Sequence, residues 1–225
     1  MNMLIHANHY FNFGFNVTHI SNFRQSFHLA KENLLKAPSH PNWLNYLDKR
    51  QSIEELHSLN WEQACGIGTV LKFNKLRALD IDECTDVSLI KRFLKCLDLP
   101  ESYEWIIRSG SRKGFHIVFY ADEHSLGKDP LRTTAVIPND DFRSSFKHIE
   151  LRWSGHLVLP PSVHQSYYTY EFLNGIPFKK PLEINVSKLQ EMLEIYGSTI
   201  PIYPYTSIDF IFVDTFENLQ NLSST

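Results

Sequence analysis

Two aspartates one residue apart, Asp80 and Asp82, sit in the stretch Leu76-Arg77-Ala78-Leu79-Asp80-Ile81-Asp82. The stretch is mostly apolar and Asn74-Lys75 can turn the chain just before it, so it reads as a β-strand. Alternation along a strand sends Asp80 and Asp82 to one face and Leu79 and Ile81 into the core. Two carboxylates about 7 Å apart on one face can converge on a divalent cation. A lone Asp-x-Asp is as readily a solvated strand end, and two later stretches bear on the choice.

The first is Arg108-Ser109-Gly110-Ser111-Arg112-Lys113-Gly114-Phe115-His116. Small residues let backbone amides approach an anion closely, and Arg112 and Lys113 add positive charge, which suits a triphosphate. His116, at the start of the following strand, can donate to a phosphate oxygen. The alternative is a solvated basic hairpin with a structural histidine. A Walker loop is excluded, because no Gly-Lys-Ser/Thr opens a helix here. The second stretch is His148-Ile149-Glu150-Leu151-Arg152-Trp153, in which His148, Glu150 and Arg152 share a face. That face is either a surface ion-pair ladder or the third carboxylate of a metal site, with Arg152 placed to neutralise a phosphate.

An Asp-hydrophobic-Asp strand, a Ser/Gly-rich loop ending in a strand histidine, and a hydrophobic-acid strand occur in that order. Pro160-Pro161-Ser162-Val163-His164 follows them. The ordered set resembles the catalytic domain of the archaeo-eukaryotic primase superfamily, and within it the bifunctional primase–polymerase branch common on plasmids, phages and other mobile elements. The likeness runs from about Gly66 to Tyr170, with weaker similarity around Trp43 and Trp61.

The resemblance implies that Asp80, Asp82 and Glu150 are the catalytic carboxylates and hold two Mg²⁺ or Mn²⁺ ions. Glu150 departs from the Asp common at that position. The implied nucleotide-binding set is Arg108, Ser109, Ser111, Arg112, Lys113, Gly114, His116, Arg152 and His164. The implied activity is DNA primase or DNA polymerase, acting on a single-stranded DNA template and primer with dNTPs or NTPs. A helicase or a helical priming domain is an implied partner in a full system, though neither leaves a pattern in this chain. The implied fold is α+β, an α/β unit interlocked with an RNA-recognition-like unit, with mixed or antiparallel sheets.

The chemistry suits the residues in its own right. Two metal ions bridged by carboxylates stabilise the attacking hydroxyl and the leaving pyrophosphate together, and hard oxygen ligands suit such ions. Three other readings compete. The chain could be a non-catalytic nucleic-acid-binding module whose aromatic run, Tyr167 to Phe172, stacks bases. A sugar transferase could use Asp80 and Asp82 for a metal–nucleotide complex, but it leaves the Glu150 strand and the basic loop idle. A nicking initiator lacks its His-hydrophobic-His pair.

These groups need elements to position them. A helix is expected over about Phe23–Lys36, and Ser52-Ile53-Glu54-Glu55 has capping-box spacing for a short helix toward Leu59. Gly66 to Phe73 is expected as a strand paired with the aspartate strand. Asp86 should cap a helix through Leu97. Tyr103–Arg108 and Phe115–Tyr120 read as strands. Phe146–Trp153 reads as a strand that turns at Ser154-Gly155 into a returning strand, His156–Leu159. Val186–Tyr196 is an amphipathic helix closed by Gly197. Residues 1–20 give no clear period, 121–145 look irregular, and the tail after about Asp214 looks loosely ordered.

The chain has 225 residues, 43% hydrophobic and 13% aromatic, which suits one domain with a sizeable core. Formal charge is -3 and the pI is near 6.4, so bulk electrostatics cannot hold nucleic acid; local basic patches, metals or a partner domain must. Cys65, Cys84 and Cys96 show no paired or zinc-ribbon spacing and read as reduced thiols of a cytoplasmic protein. No apolar run is long enough for a membrane span, and the first residues lack the pattern of a signal peptide.

Overall fold

The computed structural model describes residues 2–20, 36–122 and 134–201. The helix expected over Phe23–Lys36 lies almost wholly outside them, as does the tail after Asp214. The described elements run α1 (Met3–Asn12), β1 (Asn16–Ile20), α2 (Ile53–His57), β2 (Gly66–Leu71), β3 (Leu76–Asp82) and α3 (Val87–Cys96). They continue as β4 (Ile106–Arg108), β5 (Gly114–Tyr120), β6 (Thr134–Pro138), β7 (His148–Arg152), β8 (Gly155–Leu159), β9 (Glu171–Phe172), α4 (Val186–Tyr196) and β10 (Gly197–Pro201).

The helices begin where side chains can satisfy their first amides. The Asn2, Asp86 and Asn185 side chains each accept an amide two residues on. Ser52 closes a full capping box: its Oγ accepts the Glu55 amide and the Glu55 carboxylate accepts the Ser52 amide. The amphipathic helices α3 and α4 meet through Phe93 and Tyr196, with ring centroids 4.6 Å apart. No described helix is long and apolar enough to cross a membrane. The three cysteines carry no disulfide.

The architecture is α+β, and among the described residues two antiparallel sheets form, one of three strands in the order β1-β2-β8 and one of seven in the order β10-β6-β7-β3-β5-β4-β9. The aspartate strand β3 is the middle strand of the seven. Two sequence expectations fail here. β2 does not pair with β3 but with β1 and β8, because Lys72, Asn74 and Lys75 take positive φ and carry the chain from one sheet to the other. β8 does not return along β7; Gly155, at φ +98, redirects it to β2. The same two sheets are thus joined twice by neighbouring crossovers. Arg77 braces them: its guanidinium lies 4.7 Å over the Trp153 ring and donates to the Lys72 and Leu76 carbonyls at 3.0 Å.

Register then sorts the seven-stranded sheet into two chemically opposite faces. Leu79 pairs with Ile117 and Leu151, and Ile81 with Phe115 and Ile149; all six are fully buried. They belong to one hydrophobic cluster that runs through both sheets and the helices. The intervening residues build the other face.

Candidate active site

On that other face, Asp80 pairs across β5 with His116 and across β7 with Glu150. Directly opposite residues in antiparallel strands share a face, so His116, Asp80 and Glu150 form one row. The next row is Gly114, Asp82 and His148, and the preceding row sets Arg152 beside Ala78. Every polar residue on these three central strands that sequence reading singled out lands in two adjacent rows or beside them.

The charges are paired tightly. Arg152 Nε and Nη2 each lie 3.0 Å from Asp80 Oδ2, and Nη2 lies 2.9 Å from Glu150 Oε2. His116 Nε2 stands 3.3 Å from Asp80 Oδ1, and His148 Nε2 stands 3.0 Å from Asp82 Oδ2. Asp80 and Glu150 keep only 14% and 10% of their side-chain surface, whereas Asp82 keeps 49%. Burial alone would raise the Asp80 pKa, but His116 and Arg152 together outweigh it and hold the carboxyl well below the usual range. Glu150 goes the other way: burial and the Asp80 charge raise its pKa against the pull of Arg152.

The basic loop closes over this face. Gly114 belongs to the row of Asp82, and a Cβ there would meet the Ile81 carbonyl at 2.8 Å and Asp82 Oδ1 at 3.7 Å. Only a glycine lets the loop lie this close to the carboxylate. Within the loop, Ser109 and Ser111 hydroxyls bond at 2.8 Å and Ser111 Oγ accepts the Lys113 amide at 3.2 Å. Gly110 lies under His164, where a Cβ would come within 2.3 Å of the His164 Cβ, and Ser166 donates to the Gly110 carbonyl at 2.6 Å. The Pro-Pro-Ser-Val-His segment therefore packs against the loop.

Two expected members are placed differently. Arg108 pairs with Phe115, on the apolar face, and its guanidinium lies 5.6 Å over that ring rather than toward His116. Arg112 is committed to an ion pair with Glu171 and stacks 5.1 Å from the Tyr168 ring centroid. Lys113 is exposed.

Tyr170 was expected only as part of the aromatic run Tyr167 to Phe172, and its ring lies 5.7 Å from that of His116 and 6.1 Å from that of His164. Burial chiefly, with Asp80 and Asp82 adding to it, raises its pKa. His148 was placed on the right face without a role, and the register that sets it opposite Asp82 supplies one. For Tyr170 the only sequence signal was its place in the aromatic run Tyr167 to Phe172, which pointed to base stacking and not to the two histidines.

Residues 7–185 match the family model described as bifunctional DNA primase/polymerase, N-terminal. The chain belongs to the bifunctional DNA primase/polymerase family. Comparison with curated proteins returns no match. Family membership makes the chain a nucleotidyltransferase-type enzyme of DNA priming or polymerisation, whose substrates are nucleic acid and nucleotides. The carboxylates of this primase–polymerase domain sit on the central strands of its larger sheet, where backbone pairing on both sides fixes their spacing.

Do these residues fit a divalent metal? Among the described residues, no three His, Cys, Asp or Glu side chains stand together as a ready ligand cluster. The reason is visible: Asp82 leans to His148, while Arg152 holds the other two carboxylates. The donor set is nevertheless right. One nitrogen, Arg152 Nη2, touches an oxygen of Asp80 and an oxygen of Glu150 within 3.0 Å, so both carboxylates already serve a single cationic position. Hard carboxylate oxygens are what Mg²⁺ and Mn²⁺ prefer.

Proposed function

We propose that this chain catalyses template-directed nucleotidyl transfer, joining nucleoside triphosphates with release of pyrophosphate, and that Asp80, Asp82 and Glu150 are its metal-binding carboxylates. The observation that carries the reading is the shared cationic position between Asp80 and Glu150, one row from Asp82 on the same strand face. Bound there, two divalent ions would lower the pKa of the primer hydroxyl and neutralise charge on the triphosphate.

The chain's own residues do the rest. Strand pairing holds the carboxylates before substrate arrives, so little reorganisation is needed at reaction. His116 keeps a buried Nδ1 with no hydrogen-bond partner among the described residues, which leaves that atom for a bound nucleotide. Lys113 and the small residues Ser109, Gly110, Ser111 and Gly114 offer a basic, close-approaching loop for the β- and γ-phosphates. Arg112 serves this loop indirectly by bracing it against Glu171 and Tyr168. Tyr170 fills the gap between His116 and His164 and keeps both rings in place. Template and primer bind the face that carries these rows.

The test is incorporation of labelled dNTPs and NTPs on a single-stranded template, with and without primer, in Mg²⁺ or Mn²⁺. Activity should appear in the wild type and vanish in Asp82→Ala. A folded chain that binds single-stranded DNA yet incorporates nothing under any of these conditions would favour the binding-module reading.

A further inference from the structure

Arg152 was expected beside the triphosphate, but its nitrogens are all spent on the protein. Nε and Nη2 serve Asp80, Nη2 also serves Glu150, and Nη1 lies 3.5 Å from the His156 carbonyl. The small Ala78 opposite it on β3 leaves room for the side chain to lean over the carboxylate row. His156 is itself fixed: its Nε2 lies 2.9 Å from Thr18 Oγ1, and Gly68 beneath the ring leaves no space for even a Cβ.

Two carboxylates side by side with little solvent repel each other, and a cation between them removes that cost. A guanidinium 2.9–3.0 Å from their oxygens occupies the approach that a Mg²⁺ ion, bound at about 2.0–2.1 Å, would need. Asp80 Oδ2 already takes two of these contacts, so a metal ion drawing on that oxygen must displace the guanidinium from it. Arg152 keeps 29% of its side-chain surface, more than either partner, and among the described residues its only hydrogen bond apart from the carboxylates is one long bond to the His156 carbonyl. It can therefore swing out without opening the core.

We propose that Arg152 is a positioning residue that acts through Asp80 and Glu150. It is the internal counter-ion of the metal-free site, a divalent cation must displace it, and displacement frees its guanidinium for the phosphates arriving beside His116. This rests on the metal-site reading above. It makes metal binding and nucleotide binding mutually supportive through one side chain, since the metal exposes a phosphate-binding group that the empty site conceals.

The experiment is a Mn²⁺ titration without nucleotide, reading free Mn²⁺ by electron paramagnetic resonance. It compares wild type, Arg152→Gln, Arg152→Lys and Asp80→Asn, with melting curves for each. Removing a contacting positive charge should tighten Mn²⁺ binding about tenfold in Arg152→Gln. That variant should also melt lower without metal and gain a larger Mn²⁺-dependent rise than wild type. Arg152→Lys keeps the charge and should stay near wild type. Asp80→Asn should lose Mn²⁺ in any background. A merely structural arginine would lower melting without tightening Mn²⁺. If wild type binds Mn²⁺ and Arg152→Gln binds it equally or more weakly, the counter-ion role is wrong and the metal site stands. If folded wild type and Arg152→Gln both take up none, the metal site itself is wrong. Should Arg152→Gln fail to fold, nitrogen-15 arginine spectra of the wild type decide, with the Arg152 Nε signal assigned from Arg152→Lys. Saturating Mg²⁺ should move that signal, and a signal unmoved by bound Mg²⁺ would overturn the displacement.

Discussion

Strands β3, β5 and β7 each contribute alternate residues to two faces of one sheet, and the two faces are built on opposite terms. On one, Leu79, Ile81, Phe115, Ile117, Ile149 and Leu151 are fully buried, and each such side chain contributes about 1.5–3 kcal/mol by leaving water. On the other, Glu150 and His116 are buried and Asp80 and Arg152 partly buried, yet desolvating charges consumes most of what their pairing returns. A hydrophobic replacement of the same volume would hold the sheet as well or better. What stabilises the fold is therefore one face, and the proposed chemistry belongs to the other. Backbone pairing lets the first hold the second in register.

The sharpest way to break that comparison is a residue on the functional face that carries little of the fold. Asp82 keeps 49% of its side-chain surface and contacts His148, so Asp82→Ala should reduce nucleotide incorporation below detection. Its urea midpoint should stay within about 0.5 kcal/mol of wild type. Asp80 is a poorer probe than its strand position suggested. Truncating it strips a partly buried arginine of a partner and costs stability as well as activity. Equal loss of activity and of stability in Asp82→Ala would erase the division of labour.

The mirror-image substitution is Phe115→Ala, one residue before His116 on the apolar face. It should cost about 3–5 kcal/mol, read from the urea midpoint. Where the variant remains folded at low temperature, its nucleotide KM should be close to wild type. A small stability loss would mean that the apolar face does not carry the sheet.

How much of this was legible beforehand follows from the same alternation. A period of two reveals which residues share a face, so Asp80, Asp82, His116, Glu150 and Arg152 could be grouped, and local caps such as Ser52 and Asp86 could be placed. Alternation does not reveal which strand lies next to which. The β2–β3 and β7–β8 connections both look like hairpins in sequence, and both are crossovers between sheets because of positive-φ residues. β6 was missed because its five residues lie in a polar stretch, and β10 because Gly197 reads only as a helix stop. Helix α1 left a trace that was overlooked: Met3, Ala7 and Tyr10 at i, i+4 and i+7, behind Asn2. No face could be read for Arg108, because it stands at a loop boundary, where counting by two loses its phase.

Acid sharpens the comparison through His156, the residue that joins the small sheet to the charged row. Burial first, and the Arg152 charge second, depress its pKa to about 3 from an ordinary 6.5. A depressed folded-state pKa means that the unfolded chain takes up the proton first, so stability is full above about 6.5 and is lost as pH falls toward 3. Between pH 7 and pH 5 the loss should be about 2 kcal/mol. Glu150, with its raised pKa, works in the opposite sense, gaining stability as it protonates, and Asp80 titrates below this window. His156→Gln removes only the histidine's share. Its urea midpoint should fall less between pH 7 and pH 5 than that of wild type, and identical slopes would place the acid sensitivity elsewhere.

Away from both faces, Ser52→Ala tests that the capping box is purely local. It should cost about 1 kcal/mol with incorporation unchanged, measured by thermal melting and primer extension in parallel.

The smallest effect concerns the loop that bridges the faces at one end. If Arg112 contacted the triphosphate directly, replacing it would raise the nucleotide KM as much as replacing Lys113. Its guanidinium is instead shared between Glu171 and the Tyr168 ring, with Arg112 itself at φ +64. The pair is partly exposed on both sides, so its contribution to stability is small, about 0–1 kcal/mol. Arg112→Gln should therefore shift the melting temperature barely, and it should raise the nucleotide KM only a few-fold by loosening the loop. Lys113→Ala, which removes an exposed charge with no ion pair among the described residues, should raise KM more than Arg112→Gln does. Both should leave single-stranded DNA affinity nearly unchanged in a titration at fixed salt. A larger KM effect from Arg112 than from Lys113 would mean that the ion pair with Glu171 opens when nucleotide binds, and would move Arg112 from brace to ligand.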